Sequence, residues 1–348
     1  VTRTLFVIVG AGASHDGSSE WPSGTLRPPL VKELFDPRHQ AILAGYPLAQ
    51  TAAPEIRDAL RPDQDGQAVS LERHLRETYR DSKDPYDRRR FHSIALYLQT
   101  LLWRASRTDQ VHFDNTDRLV TRLVRGFEHV CFITLNYDTI LDQALGKLNP
   151  IGDLEGYIAQ ERWSLIKLHG SVDWGFAPID EASVDDPPAN LVRRLKDEIY
   201  LADNPYEDQA SGNLMPPRYA FPRTSFQAKL FPALTVPVGE EDEVVCPNSH
   251  QRFLDKRLAE AHELDLLIVG YSAYDRTVIE RIGRSEKRIA TLTVVNESQR
   301  AANAVVARLR DRIPRSLNGT QVEEADRPFG AWCRDLMDIF MARSPAAS

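Results

Sequence analysis

Five short turns carry the residues whose chemistry stands out in this sequence. They are Gly10-Ala11-Gly12-Ala13-Ser14, Asn136-Tyr137-Asp138, His169-Gly170-Ser171, Gly270-Tyr271-Ser272 and Asn296-Glu297. Gly10 and Gly12 permit a sharp turn and let backbone N–H groups approach a ligand. A helix opening near Ala13 or Ser14 would turn its N-terminus toward an anion such as a pyrophosphate. The third glycine of the usual dinucleotide turn is replaced by His15, which reads as a loop residue. Asn136 brings an amide that can both donate and accept. Asp138 brings a carboxylate that would equally serve as a helix cap. His169 brings an imidazole able to take up a proton near neutral pH. Asp173 and Trp174, just beyond it, read as packing.

Each turn ends a short apolar run: Leu5–Val9, Val130–Leu135, Ser164–Leu168, Leu264–Val269 and Ile289–Val295. Runs of this length, rich in β-branched residues and stopped by glycine or polar residues, predict strands buried on both faces. Apolar residues at helical spacing fill the intervals. They predict helices over Thr116–Phe127 with Thr116 as N-cap, from Ile140 with Asp138 as cap, over Gln251–Glu263, over Ser298–Ile313 and from Pro328 onward. The alternation predicts an α/β fold, a Rossmann-like parallel sheet with helices on both faces. Right-handed crossovers place the carboxyl ends of such strands on one edge, where ligands bind. The five turns should therefore converge. The whole chain, 1–348, reads as one domain carrying two insertions. Residues 18–115 predict a helical insertion, and Leu30–Phe35 within it a helix start. Residues 176–237 predict an irregular Pro-rich insertion or lid, with a short helix over Leu191–Leu201.

The bulk composition narrows the class. Of 348 residues, 42% are hydrophobic and 27% charged, which fits a soluble globular protein. The net charge of -7 argues against direct nucleic-acid binding through phosphates. Three cysteines, Cys131, Cys246 and Cys333, form no Cys-x-x-Cys pair, so no zinc ribbon is expected. Sparse cysteines, no apolar leader and no membrane-length apolar run point to the cytoplasm and away from a membrane.

In order and spacing, the five turns resemble the sirtuins. The resemblance spans Leu5 to Asn296 and leaves out Ser18–Asp114 and Phe176–Pro237. It implies NAD as substrate and cleavage of the nicotinamide–ribose bond. Deacetylase sirtuins carry two Cys-x-x-Cys pairs and continue the first turn with Gly-Ile-Pro-x-Phe-Arg, and this chain has neither. Its Lys167–Trp174 and Gly270–Asp275 blocks look like the divergent sirtuin-like NAD hydrolases of prokaryotic antiphage defence. That likeness implies an NAD-depleting effector without zinc, releasing nicotinamide and ADP-ribose. It also implies a homo-oligomer, triggered by a separate sensor such as a HerA-type DNA-translocating ATPase. The implied catalytic residues are Asn136, His169 and Asp138. The implied NAD-binding residues are Gly10, Ala11, Gly12, Ser14, Gly270, Ser272 and Asn296. A non-catalytic NAD or ADP-ribose sensor and a zinc-free deacylase are the alternative readings.

Overall fold

The computed structural model describes residues 4–60, 71–75, 77–78, 82–176, 199–201, 207–208, 213–214, 231–234, 245–274, 276–325, 327–335 and 337–343. Its strands are β1 (Thr4–Val9), β2 (His129–Thr134), β3 (Trp163–Lys167), β4 (Gly170–Phe176), β5 (Ile199–Leu201), β6 (Glu207–Asp208), β7 (Asn213–Leu214), β8 (Phe231–Leu234), β9 (Leu264–Val269), β10 (Ile289–Val295) and β11 (Gln321–Ala325). Six of these make one sheet in the order β11-β10-β9-β1-β2-β3, and every pair in it is parallel. Taken from the β3 edge, the order of appearance is the doubly wound 3-2-1-4-5-6 of Rossmann folds.

The five expected strands are present, because each is an apolar run sealed on both faces. In β1, Leu5, Val7 and Val9 join one buried cluster, while Phe6 and Ile8 join another on the opposite face. The sixth strand, β11, was not expected. It is an edge strand whose residues alternate between exposed and half-buried, and it carries Glu323 and Glu324. It lacks the continuous apolar run that marks the interior strands.

The register sets the position of the turns. Val9 of β1 lies level with Thr134 of β2 and with Val269 of β9. Thr134 in turn pairs with Lys167, and Val269 with Val295. Five strands therefore end together, and the chain turns away from all of them at one edge.

Between β1 and β2 the described residues hold helices and no strand: α1 (Ala11–His15), α2 (Gln40–Leu43), α3 (Pro47–Ala59), α4 (Leu71–Leu75), α5 (Pro85–Ser106) and α6 (Asp114–Gly126). Leu30–Phe35 forms only a 3₁₀ turn over Val31–Glu33. Thr116 is not the N-cap of α6. The helix opens two residues earlier, and Thr116 is buried in its first turn. The competing signal was Asp114, whose carboxylate accepts the N–H of Ser19 at 2.7 Å and anchors the loop to the helix start. His15 ends α1 and is not a loop residue. It is hydrogen-bonded through Nδ1 to the carbonyl of Pro28 at 2.8 Å, which ties the Ser18–Pro29 loop to α1.

After β2 comes α7 (Ile140–Gly146), whose N-cap position is Thr139; Asp138, the expected cap, stands one residue earlier, and its Oδ1 accepts the Ile140 N–H at 3.1 Å in an Asx turn. Later helices are α8 (Asn248–Glu260), α9 (Thr277–Arg284), α10 (Gln299–Arg312), α11 (Phe329–Asp335) and α12 (Met337–Arg343). Beyond β3, the chain forms a small antiparallel sheet in which β4 pairs with β5 and β8, two strands that fall within the expected 176–237 insertion. Ile199–Leu201 is strand β5, so that end of the expected Leu191–Leu201 helix is overturned by pairing with Trp174–Phe176. Residues 191–198, like most of the expected lid, lie outside the described residues. Among the described residues no helix is long and apolar enough to cross a membrane.

Candidate functional site

The five turns form a connected row along the carboxyl edge, in the order of their strands. At one end, Asn296 Nδ2 donates to the carbonyl of Tyr271 at 3.2 Å, joining the β10 turn to the β9 turn. Next, Gly10 and Gly12 donate their N–H groups to the carbonyls of Val269 and Gly270 at 2.9 and 3.0 Å, joining β9 to β1. Then Asn136 Nδ2 donates to Ser14 Oγ at 2.9 Å, joining α1 to the β2 turn across 122 residues of sequence. Finally, the Val172 N–H donates to the Tyr137 carbonyl at 2.9 Å, and the Tyr137 and His169 rings lie 6.1 Å apart. The sheet's order reverses between β1 and β9, which is where a ligand crevice opens in this fold.

The glycines work first through close approach. A Cβ on Gly10 would stand 2.5 Å from the Gly270 carbonyl oxygen, and one on Gly12 would stand 2.9 Å from Gly270 Cα. Gly270 itself has φ +59, and a Cβ there would fall 2.2 Å from the Ala13 nitrogen. The β1 and β9 turns thus pack backbone on backbone. The Gly10 and Gly12 N–H groups are committed to that packing. Ala11 and Gly12 are half-buried at the start of α1.

Ser14, Asn136 and Asp138 form a compact polar group. Ser14 is buried, and besides accepting from Asn136 it is hydrogen-bonded to the Asp138 carboxyl. Thr134 holds this turn from behind. Its hydroxyl donates to the Val9 carbonyl at 2.9 Å and accepts the Asn136 N–H at 3.0 Å. Burial pushes the Asp138 carboxyl above its ordinary range, opposed by the Lys167 ammonium and the Ser14 bond. His169 is buried at the end of β3, two residues beyond Lys167.

Ser272 stands apart from this group. It is exposed, and its carbonyl accepts from Arg308 at 2.8 Å. Arg308 also donates to the Tyr274 hydroxyl at 2.7 Å and lies over that ring, while Arg312 donates to the Ala273 carbonyl at 2.7 Å. These contacts hold Ala273 in the left-handed region at φ 59, a conformation costly for a side-chain-bearing residue.

Sequence reasoning missed the support beneath the site. Lys167 has a side chain with no exposure, donating to the Asp138 carbonyl at 2.6 Å and to Asp142 Oδ2 at 2.8 Å. The other Asp142 oxygen accepts the Tyr157 hydroxyl at 2.7 Å. Asp173 is also buried, 3.9 Å from Arg107, and burial together with the Asp142 charge raises its pKa. A lysine ending a mostly apolar strand was the available signal. Cys131, Cys246 and Cys333 are buried free thiols. Among the described residues no group of three or more His, Cys, Asp or Glu side chains stands together to hold a metal ion.

The family of SIR2-like domains matches residues 130–318, more than half of the chain. The chain belongs to the SIR2-like family, and its function is of the NAD-related, sirtuin type. No curated protein matches it. Similar solved structures include a Sir2–p53 peptide–NAD+ complex, at 12% identity over 97% of this chain and 94% of that one, with a TM-score of 0.39. Another is Sir2 bound to acetylated peptide, at 13% identity over 97% and 93%, with a TM-score of 0.38. The matched domain contains Asn136, His169, Gly270, Ser272 and Asn296, and it begins after the Gly10–Ser14 turn. The fold inserts β1 between β2 and β9, so that turn reaches the same edge from outside the matched region.

Proposed function

We propose that the chain is an NAD glycohydrolase that cuts the nicotinamide–ribose bond, yielding nicotinamide, ADP-ribose and a proton from NAD and water. The observation that carries this reading is the Asn136–Ser14 bond, which fixes an amide at the carboxyl edge between the β1 turn and the His169 turn. Nicotinamide departs as a neutral ring, so the reaction needs no general acid. Positive charge grows on the ribose, as in glycoside cleavage. The demands left to the protein are to orient the ribose and to direct a nucleophile. Asn136 orients the ribose hydroxyls or the attacking water. Its bond to Ser14 sets the direction of its amide. His169 accepts the proton of the water, or of a ribose hydroxyl, as the bond breaks. Asp138 caps α7 and presents a carboxyl through Ser14 to the developing cation. Ala11 and Ser14 form the pyrophosphate side of the site, where Gly10 and Gly12, their own N–H groups bonded to the β9 strand and turn, leave room for close approach, and Gly270, Ser272 and Asn296 form the adenosine side.

The same reading makes the protein an NAD-depleting effector of antiphage defence. It acts as a homo-oligomer, or with a sensor subunit such as a HerA-type DNA-translocating ATPase, and the 176–237 insertion serves as the lid. Support for this comes from the Lys167–Trp174 and Gly270–Asp275 blocks and from membership of the SIR2-like family. The test is nicotinamide release from NAD, with the candidate sensor present and absent. Asn136→Ala and His169→Ala should each slow release by about 10²–10⁴-fold, the usual worth of a positioned acid–base group. Release at the wild-type rate by both variants overturns the assignment. Tight NAD binding without turnover under every condition identifies a sensor instead.

A further inference from the structure

Lys167 sits in a position that stability alone does not explain. Its ammonium group is wholly enclosed and close to three carboxyls, those of Asp142, Asp138 and Asp173. A buried ion pair is often no better for stability than well-packed apolar side chains of the same volume. The flanking residues of the strand, Leu165, Ile166 and Leu168, are apolar and buried, so a methionine would suit the strand. What a methionine cannot do is donate to the main-chain carbonyl of Asp138, a bond of 2.6 Å. That carbonyl belongs to the turn carrying Asn136. The lysine doing the donating lies two residues before His169. One side chain therefore ties the β2 turn to the start of the β3 turn. Asp142, itself held by Tyr157, fixes the lysine from the other side.

We propose that Lys167 is a positioning residue for the NAD-cleaving site, holding the Asn136–Asp138 turn in register with His169 through its hydrogen bond to the Asp138 carbonyl. This rests on the glycohydrolase reading for its kinetic consequence, but the geometric claim can be measured separately. Two double variants separate the donor from the charge. Lys167→Met with Asp142→Asn removes both charges and the donor. Lys167→Gln with Asp142→Asn removes both charges and keeps a donor.

For each variant the measurements are melting temperature, kcat and KM for nicotinamide release, and hydrogen exchange of the amides of residues 135–141. Both variants should fold with a lowered melting temperature, since Asp138 and Asp173 lose a counter-charge, and the methionine variant should lose more, since the Asp138 carbonyl also loses its donor. Its kcat should fall about a hundredfold, the scale of a small misplacement of reacting groups. KM should change little, and exchange at 135–141 should quicken. The glutamine variant should recover much of the kcat and of the exchange protection. Equal kcat and equal exchange in the two variants would show that Lys167 only neutralises Asp142, and would overturn the proposal. Failure of both to fold would also overturn it, by making the ion pair structural. If wild type releases no nicotinamide, the glycohydrolase reading fails while the exchange comparison still decides the role of Lys167.

Discussion

Gly270→Ala tests the idea that the nucleotide turn is built by backbone-on-backbone packing. Gly24 provides the control, because it shares the left-handed conformation without the crowding. Gly24 has φ +85 and nothing within 4 Å of the place a Cβ would take, whereas a Cβ on Gly270 falls 2.2 Å from the Ala13 nitrogen and 2.6 Å from the Gly12 carbonyl carbon. A left-handed alanine costs about 1 kcal/mol at either position. Gly270→Ala adds about 2 kcal/mol for the contact, since backbone atoms cannot rotate away as a side chain can. A chain of this size loses about 2 °C of melting temperature per kcal/mol. Gly24→Ala should therefore lower the melting temperature by about 2 °C and Gly270→Ala by about 6 °C. The displaced β1 turn should also cost Gly270→Ala its nicotinamide release, while Gly24→Ala keeps it. Both quantities come from thermal unfolding and a nicotinamide assay on the same preparations. Melting temperatures for the two variants that agree within about 1 °C would refute the packing argument, because the shared left-handed cost would then account for everything.

Thr134→Val removes a buried hydroxyl that serves the Val9 carbonyl and the Asn136 N–H together, and should cost about 1–3 kcal/mol in denaturant unfolding with a loss of nicotinamide release. An unchanged unfolding midpoint would mean that neither bond matters. Asp173→Asn should flatten the dependence of stability on pH. The native carboxyl titrates above its ordinary value of 3.8, because burial and the Asp142 charge oppose ionisation. Its contribution is complete below 3.8 and is lost as pH rises through the raised native value, so wild type should weaken relative to the variant across that window. A difference between the two proteins that stays constant with pH would contradict this sign.

What the sequence revealed and what it hid follow from the range of the interactions. Leu5–Val9 and its four parallel companions were legible because a strand covered on both faces must be apolar at every position. The Asp138 bond at the start of α7 was legible because donor and acceptor lie two residues apart, although the N-cap position itself is Thr139. β4 was not legible. Gly170-Ser171-Val172-Asp173-Trp174-Gly175-Phe176 holds two glycines and a buried aspartate, and it becomes a strand only through pairing with β5 and β8. Lys167 escaped for the same reason. Its residue type was visible, but its partners Asp138 and Asp142 lie 29 and 25 residues earlier, on another element. The row of turns was foreseen by topology. The bonds that join it, such as Asn136 to Ser14, depend on register and were not.

The two insertions expected from the sequence leave the sheet at the same edge. One leaves the sheet after β1 and the other after β3, and both strands end at the edge where the five turns meet. The two insertions also touch each other. Helix α5, from the first, packs on β8 of the second and on β4, which precedes it. There, Gln99 Nε2 donates to the Val172 carbonyl at 3.0 Å, while the Val172 N–H donates to the Tyr137 carbonyl. One peptide segment, three residues beyond His169, is thus held by the helical insertion on one side and by the Asn136 turn on the other. Gln99 is buried, so breaking its bond would strand polar groups away from water, at a cost of about 1–3 kcal/mol. That bond ties α5 to the start of β4, three residues beyond His169.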